Sequence, residues 1–417
     1  LQVPFIKLEH SQNRDTDRSQ YLVGLFSEYA NRPDNHRNLH YLGRELMYRG
    51  FYRTALTVLM KHITHRDSWP AEVAQSIIFK GDIYRAHKLQ GNKRIFAEYV
   101  GAAAVDPTRR DGWMRAADMA YQLRNAPLAA AFVEAALTVT QPSTFYASEG
   151  RYYRSLPHEI AYWAYHQLGS IDKAREHWEK ALALEPTNGL YLHDARFFMK
   201  LPKVSIIIPH MAGTRKQELE ACLTATYENA NYSDFSVCIA SDSLEERLGC
   251  PKVFNRAVEE CDGELIMFLG DDCLPQPNFL ILAVLSHMKR FSLVNDGLTA
   301  LNDGLWNGRL ATHWIADRTF TERLPESVFL YEGYNHVGCD NELTAWAISY
   351  SRYNYCPEAV IIHKTPDDEV KKLGWDPEKV AADRALLKKR LPWGMPDPTT
   401  LDTWDACQKP NPLYVAV

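Results

Sequence analysis

The segment Gly263-Glu-Leu-Ile-Met-Phe-Leu-Gly-Asp271-Asp272-Cys-Leu-Pro275 constrains this chain more than any other. Its apolar run, Leu265 to Leu269, has the length of a short buried strand and stops on two adjacent carboxylates followed by a proline turn. In an open α/β sheet, ligands bind beyond the carboxyl ends of the strands. Acidic side chains placed there suit a hard divalent cation and the phosphates it carries. An Asp-Asp pair before a proline also suits a plain loop, where side-chain oxygens bond the backbone.

The neighbouring segments supply the rest of such a sheet. Val204-Ser-Ile-Ile-Ile-Pro209 is a β-branched run, Glu218 to Tyr227 has helical spacing, and Phe235 to Ala240 is a second strand ending on Ser241-Asp242-Ser243. Val253 to Glu260 is again helical and leads into the acidic strand end. The order is β-α-β-α-β. Its strands are nearly continuous apolar runs, as expected when both faces of a parallel sheet are covered. Further on, Asn278 to Lys289 is predicted helical, Phe291 to Gly297 a strand and turn, Ala359 to His363 a strand, and Ala381 to Leu391 a final helix. Between Asn302 and Leu330 the pattern is less regular; Trp306, His313, Trp314 and Phe320 serve there either as aromatic anchors of a loop or in a ligand site.

The first half of the chain has a different period. Ile160-Ala-Tyr-Trp-Ala-Tyr-His-Gln-Leu-Gly169 and Asp172 to Pro186 form two amphipathic helices around a glycine turn, with Ala174, Trp178 and Ala181 at crossing positions. Similar units run from Asn38 to Leu59, from Gln75 to Pro107 and from Gly112 to Val139. This spacing resembles the tetratricopeptide (TPR) pattern and predicts four helix pairs stacked as a short solenoid. The Tyr and His residues within it (Tyr41, His62, Tyr84, His87, Tyr121, His158, His166) are expected to be packing or surface residues.

A chain of 417 residues exceeds one typical core. The predicted domains are an extension (1–30), the helical repeats (31–200), an α/β domain (203–390) and a wrapping tail (391–417). The formal net charge of −5 gives no broad electrostatic case for nucleic-acid binding. All eight cysteines fall between Cys222 and Cys407 without a CxxC pair, which suggests neither a zinc knuckle nor a disulfide framework and fits a reducing, cytoplasmic setting. No apolar run approaches the length of a membrane span. No GxGxxG follows the first strand, which sets aside a dinucleotide-dependent dehydrogenase.

The succession Val204–Pro209, Ala221-Cys-Leu, Ala240-Ser-Asp242, Asn255-Arg-Ala257 and Asp262–Asp272 resembles glycosyltransferase family 2, of the GT-A fold, over residues 203–385. The resemblance implies inverting transfer of a sugar from a nucleotide-diphosphate donor with help from Mn2+ or Mg2+. It places Pro209 and His210 beside the base, Asp242 on the base or ribose, and Asn255 near the donor. Asp272 matches the last acid of the family's DxD-type motif and would meet the metal; Asp271 would assist. Gly270 stands where the motif has its first acid, and the interval from Asp242 to Asn255 is short for the family.

Downstream, Gly338-Cys-Asp340-Asn341-Glu342 resembles the acidic helix start that carries the family's base. Asp340 is the expected base, or a helix cap, and Glu342 the reserve or an acceptor-orienting group. His363 would complete the metal–diphosphate site and Lys364 would neutralise diphosphate charge. The acceptor is left open among glycan, protein, lipid-linked or modified nucleic-acid classes. Two other readings stand beside this one. The chain is a helical-repeat scaffold or binding protein with a degenerate, inactive transferase domain, or Asp271 and Asp272 belong to a two-metal phosphatase or nuclease. Ile6-Lys-Leu-Glu-His10 and Asp17-Arg18 echo Ile361–His363 and Asp383-Arg384, as expected if the N-terminus is the tail of a further catalytic domain.

Overall fold

The computed structural model describes residues 19–144, 146–243, 245–291, 293–364 and 376–391. The expected extension up to residue 18, the echo it carries and the tail beyond residue 391 lie outside these residues. Two compact units divide between Glu185 and Pro186. The change of period at Leu201 therefore trails the division itself, because a short helix (Gly189–Asp194) belongs with the second unit.

The first unit is all-α. After α1 (Ser19–Asn31) come four helix pairs: α2 (His36–Tyr48) with α3 (Tyr52–Thr64), α4 (Pro70–Ala86) with α5 (Asn92–Val105), α6 (Arg110–Gln122) with α7 (Ala126–Leu137), and α8 (Leu156–Gln167) with α9 (Ile171–Leu184). The turns are set by local chemistry. Asn35 and Asn125 accept backbone N–H groups three residues on, prolines open α4, α7 and α8, and Gly169 takes a φ of +73° between α8 and α9. Ala174, Trp178 and Ala181 are all buried on one face of α9, the small-large-small pattern that lets paired helices approach. This is a TPR-like repeat region.

Gly112 shows how close that approach is. A Cβ there would lie 2.6 Å from the backbone nitrogen of Ala103 and 2.8 Å from its Cα. Gly101, by contrast, has open space around the corresponding point. Gly112→Ala is expected to destabilise the chain by about 1–3 kcal/mol, because overpacking against backbone outweighs alanine's better helix propensity. Gly101→Ala should instead stabilise by up to about 1 kcal/mol. Urea unfolding of the two variants checks the pair; equal effects would deny the close α5–α6 crossing.

The second unit is a mixed α/β layer. After α10 (Gly189–Asp194) come β1 (Val204–Met211), α11 (Lys216–Asn229), β2 (Phe235–Asp242), α12 (Cys250–Glu260), β3 (Leu265–Phe268), β4 (Cys273–Pro275), α13 (Phe279–Phe291), β5 (Leu298–Asn302), β6 (Trp314–Asp317), α14 (Cys339–Ser349), β7 (Tyr353–His363) and α15 (Pro377–Arg390). The sheet order is β2-β1-β3-β6-β5-β7-β4. The expected parallel start is present, with β2 and β3 flanking β1 in parallel. Beyond it the sheet is mixed, for β6 runs antiparallel to β3 and β5, and β4 antiparallel to β7.

Trp314 and Phe320 are fully buried in the core with Phe254 and Phe329, so these two aromatics are anchors. The strand expected at Phe291 is not one. Phe291 closes α13, Leu293 in the following turn is 98% exposed, and the strand begins only at Leu298.

Candidate functional site

β1, β2 and β3 run in the same direction, so their carboxyl ends bring His210, Asp242, Asp271 and Asp272 to one edge of the sheet. His210 Nδ1 lies 2.9 Å from Asp271 Oδ2. The pairing of β4 with β7 sets Cys273 opposite His363, and His363 Nε2 then lies 3.3 Å from Asp272 Oδ1. The Lys364 backbone N–H donates to the Asp272 carbonyl at 3.2 Å, while its side chain is exposed. His210, Asp271, Asp272 and His363 thus lie together at this edge, with Pro209 next to His210 in β1.

The residue at the centre of this edge was not anticipated. Arg215 Nη1 donates to Asp271 Oδ1 at 3.0 Å and to Asp272 Oδ2 at 3.1 Å. Arg215 precedes α11 with φ +44°, a left-handed conformation that a non-glycine residue adopts at a cost of about 1–2 kcal/mol. That geometry delivers the guanidinium to the two carboxylates. Burial alone would raise the Asp272 carboxyl; the His363 hydrogen bond and charge, with the Arg215 charge, outweigh it and hold the group below the usual carboxylate range.

Gly270 is tightly enclosed. A Cβ there would meet Asp272 Oδ1 at 3.0 Å and Cys273 Sγ at 3.1 Å, so an acid in this place would crowd the one that remains.

Beside Asp272 lies a thiol–imidazole group. Cys273 Sγ is 3.2 Å from His313 Nε2, and the His313 and His363 rings sit edge to face at 5.0 Å. Cys273, His313 and His363 each offer a ligand atom within 4.8 Å of the others. This is a soft donor set, better matched to zinc-class ions than to Mg2+ or Mn2+. The hard-cation site expected at Asp272 and His363 is therefore a poor fit: a guanidinium bridges the acids and the adjoining donors are sulfur and imidazole. Burial, followed by the His363 charge, pushes His313 down to about 4 and keeps it neutral.

Three expected site residues carry other bonds. Asp242 accepts the backbone N–H groups of Ser243, Leu248 and Gly249 at 2.8–3.0 Å, so its carboxylate closes the short loop before α12 rather than facing a base. Asn255 is buried and donates to the Leu330 carbonyl at 2.7 Å and to Glu332. Glu342 accepts two bonds from Arg390 Nε at 2.9 and 2.8 Å and one from Tyr334 at 2.7 Å, clamping α14 to α15.

Asp340 is placed differently. The cap of α14 is Gly338 with φ +104°, so Asp340 lies inside the first turn, where its side chain accepts the Asn341 N–H at 2.9 Å. Burial, more than the nearby Asp303 charge, raises its carboxyl above the ordinary range. The Cys250 thiol is pushed up to about 12 by burial and then by the charges of Asp340, Asp271 and Asp242. The loop before α14 is pinned by Asp383 of α15, whose carboxylate accepts the N–H groups of Asn335, His336 and Val337 at 2.9 Å.

No family model matches this chain, and no curated protein matches it. Several solved structures are similar to part of this chain. MamA is 16% identical, with 43% of this chain and 86% of that chain covered and a TM-score of 0.31. MamA from Desulfovibrio magneticus RS-1 is 15% identical over 39% and 82% of the two chains, with a TM-score of 0.32. YrrB, a TPR protein with an unusual peptide-binding site, is 11% identical over 42% and 81%, with a TM-score of 0.35. Among the described residues, no helix is long and apolar enough to cross a membrane.

Proposed function

We propose that this chain is a helical-repeat binding protein whose α/β unit is a glycosyltransferase-like domain that has lost its dependence on a divalent cation and, with it, sugar transfer. The observation that carries this reading is Arg215 bridging Asp271 and Asp272 at the strand end. Two like charges side by side need a counter-charge, and here the chain supplies its own. Gly270, where an acid's Cβ would press on Asp272 and Cys273, and the commitment of Asp242, Asn255 and Glu342 to internal bonds, point the same way. The stacked helix pairs offer the extended surface on which repeat proteins hold protein or peptide partners.

A second reading, an active inverting transferase, is favoured by Asp340. A buried carboxyl with a raised pKa, near the other acids, suits a general base. It would take the proton of an acceptor hydroxyl as that oxygen bonds the anomeric carbon and the nucleotide diphosphate departs.

Calorimetry of UDP-, GDP- and TDP-sugars with the full chain, with and without Mn2+, separates the two. No metal-dependent donor binding is expected. Donor binding that requires Mn2+ and disappears in Asp272→Ala would overturn the binding-protein reading in favour of the transferase.

A further inference from the structure

A second cluster of ligating side chains lies in the solenoid, where the sequence reading expected only packing and surface residues. Three helix ends meet there. His36 is the first residue of α2, His62 is in the last turn of α3, and Glu72 is in the first turn of α4. One ligand atom from each of the three lies within 4.8 Å of the others.

Each member is left incomplete by the protein. His62 is fully buried, yet its Nε2 has no hydrogen-bond partner, and the buried Nδ1 of His36 has none either. Such buried polar atoms are costly and normally satisfied. Glu72 is 2% exposed, and its counter-charge is the exposed Arg37 with Nε at 3.7 Å. An exposed partner at that distance contributes little.

The other side of His62 is fixed by a hydrogen-bonded chain. His62 Nδ1 is 3.0 Å from Ser76 Oγ, Ser76 Oγ is 2.8 Å from His40 Nδ1, and His40 Nε2 is 2.7 Å from the Tyr146 hydroxyl. The chain can be oriented in two ways. If His62 donates from Nδ1 to Ser76, Ser76 donates to His40 and His40 donates to Tyr146, then His62 Nε2 presents a lone pair to the cluster. In the opposite orientation, Nε2 carries a hydrogen with nothing to receive it. The first orientation leaves the Nε2 lone pair open to a cation. Ligating histidines are typically held through the other ring nitrogen in this way.

We propose that His36, His62 and Glu72 bind a zinc-class divalent cation that ties together the ends of α2, α3 and α4. Two imidazoles and a carboxylate are an established donor set for zinc, with a fourth position left to water. Bond lengths of about 2.0–2.2 Å require the three ligand atoms to draw slightly closer. The half-buried His36, at the start of its helix, is the group able to turn inward. Neither reading of the α/β unit bears on this site.

The test uses the full chain, stripped with chelator and titrated with ZnCl2, and with CoCl2 for its visible spectrum. A His363→Ala background removes the competing thiol-containing cluster. In that background one equivalent of Zn2+ is expected to bind, and Co2+ should give ligand-field bands without a thiolate charge-transfer band. Glu72→Gln, close in shape, and His36→Ala should each lower zinc affinity at least tenfold while circular dichroism stays unchanged. The proposal is overturned if zinc binding in that background is absent, if it survives both substitutions, or if the Co2+ spectrum carries a thiolate band removed by Cys273→Ser.

Discussion

Replacing Arg215 with methionine is expected to cost the α/β unit about 3 kcal/mol at neutral pH and to make its remaining stability respond to divalent cations. The side chains of Arg215, Asp271 and Asp272 are 12%, 7% and 7% exposed, so water cannot readily replace the lost guanidinium. His210 and His363 stay beside the acids, but each faces one carboxylate from its own side. Without Arg215, two buried carboxylates stand adjacent, and one of them must take up a proton or a cation. The check is urea unfolding followed by tryptophan fluorescence, with and without Mn2+. The wild type should be indifferent to Mn2+, whereas Arg215→Met should be less stable and partly restored by it. A variant as stable as the wild type without metal would show that the guanidinium is incidental. A wild type stabilised by Mn2+ as much as the variant would show that the arginine yields readily to a cation, and would revive the transferase reading.

The sequence revealed elements where one physical signal dominated. α8 and α9 were readable because apolar residues recur at helical spacing and Gly169 marks the turn. β1 and β3 were readable because both faces are covered and their runs are uninterrupted. β7 was seen only from Ala359, although it begins at Tyr353. Its register against β5 shifts between Leu301, paired with Cys356, and Asn302, paired with Val360. Pro357, Glu358 and Ala359 fill that irregularity, and three unmatched residues that include a proline hide a strand from any alternation test.

The site divides in the same way. Acids at strand ends were visible because they interrupt apolar runs. What those acids bond to was not. Arg215 reaches Asp271 and Asp272 across more than fifty residues and through a left-handed backbone conformation. Asp242 is filled by N–H groups from a loop whose path no local pattern encodes. His313 stood in the irregular region as one of several rings, and only the β4–β7 pairing and the end of β6 bring it to Cys273 and His363. A basic residue just after the first strand, facing an acid pair after the third, was the one available signal for Arg215.

The solenoid is expected to lose stability on mild acidification, as pH falls below the ordinary histidine value. Burial first, then the neighbouring charges of His62, Arg44 and Arg109, pushes His40 down to about 3. Burial, with His36 and His65, pushes His62 down to about 4. In the unfolded chain both return to about 6.5. The folded state therefore binds fewer protons than the unfolded state once pH drops below that value. Their contribution is fully present above pH 6.5 and is lost as pH falls toward the folded values. Each group costs about 1.4 kcal/mol per pH unit in that window, and the two together about 3 kcal/mol. The half-buried His158, also held down to about 4 by burial and then by the His177 charge, adds to the slope. A repeat region in the lower half of the ordinary stability range of about 5–15 kcal/mol would lose most of it between pH 6.5 and about 4.5. Helical circular dichroism of the full chain in the presence of EDTA, with urea titrations at pH 7.5 and 5.5, measures the slope. His40→Gln, which cannot titrate, should flatten it by about a third; a wild-type stability unchanged between the two pH values would mean that these imidazoles accept protons without opening the solenoid.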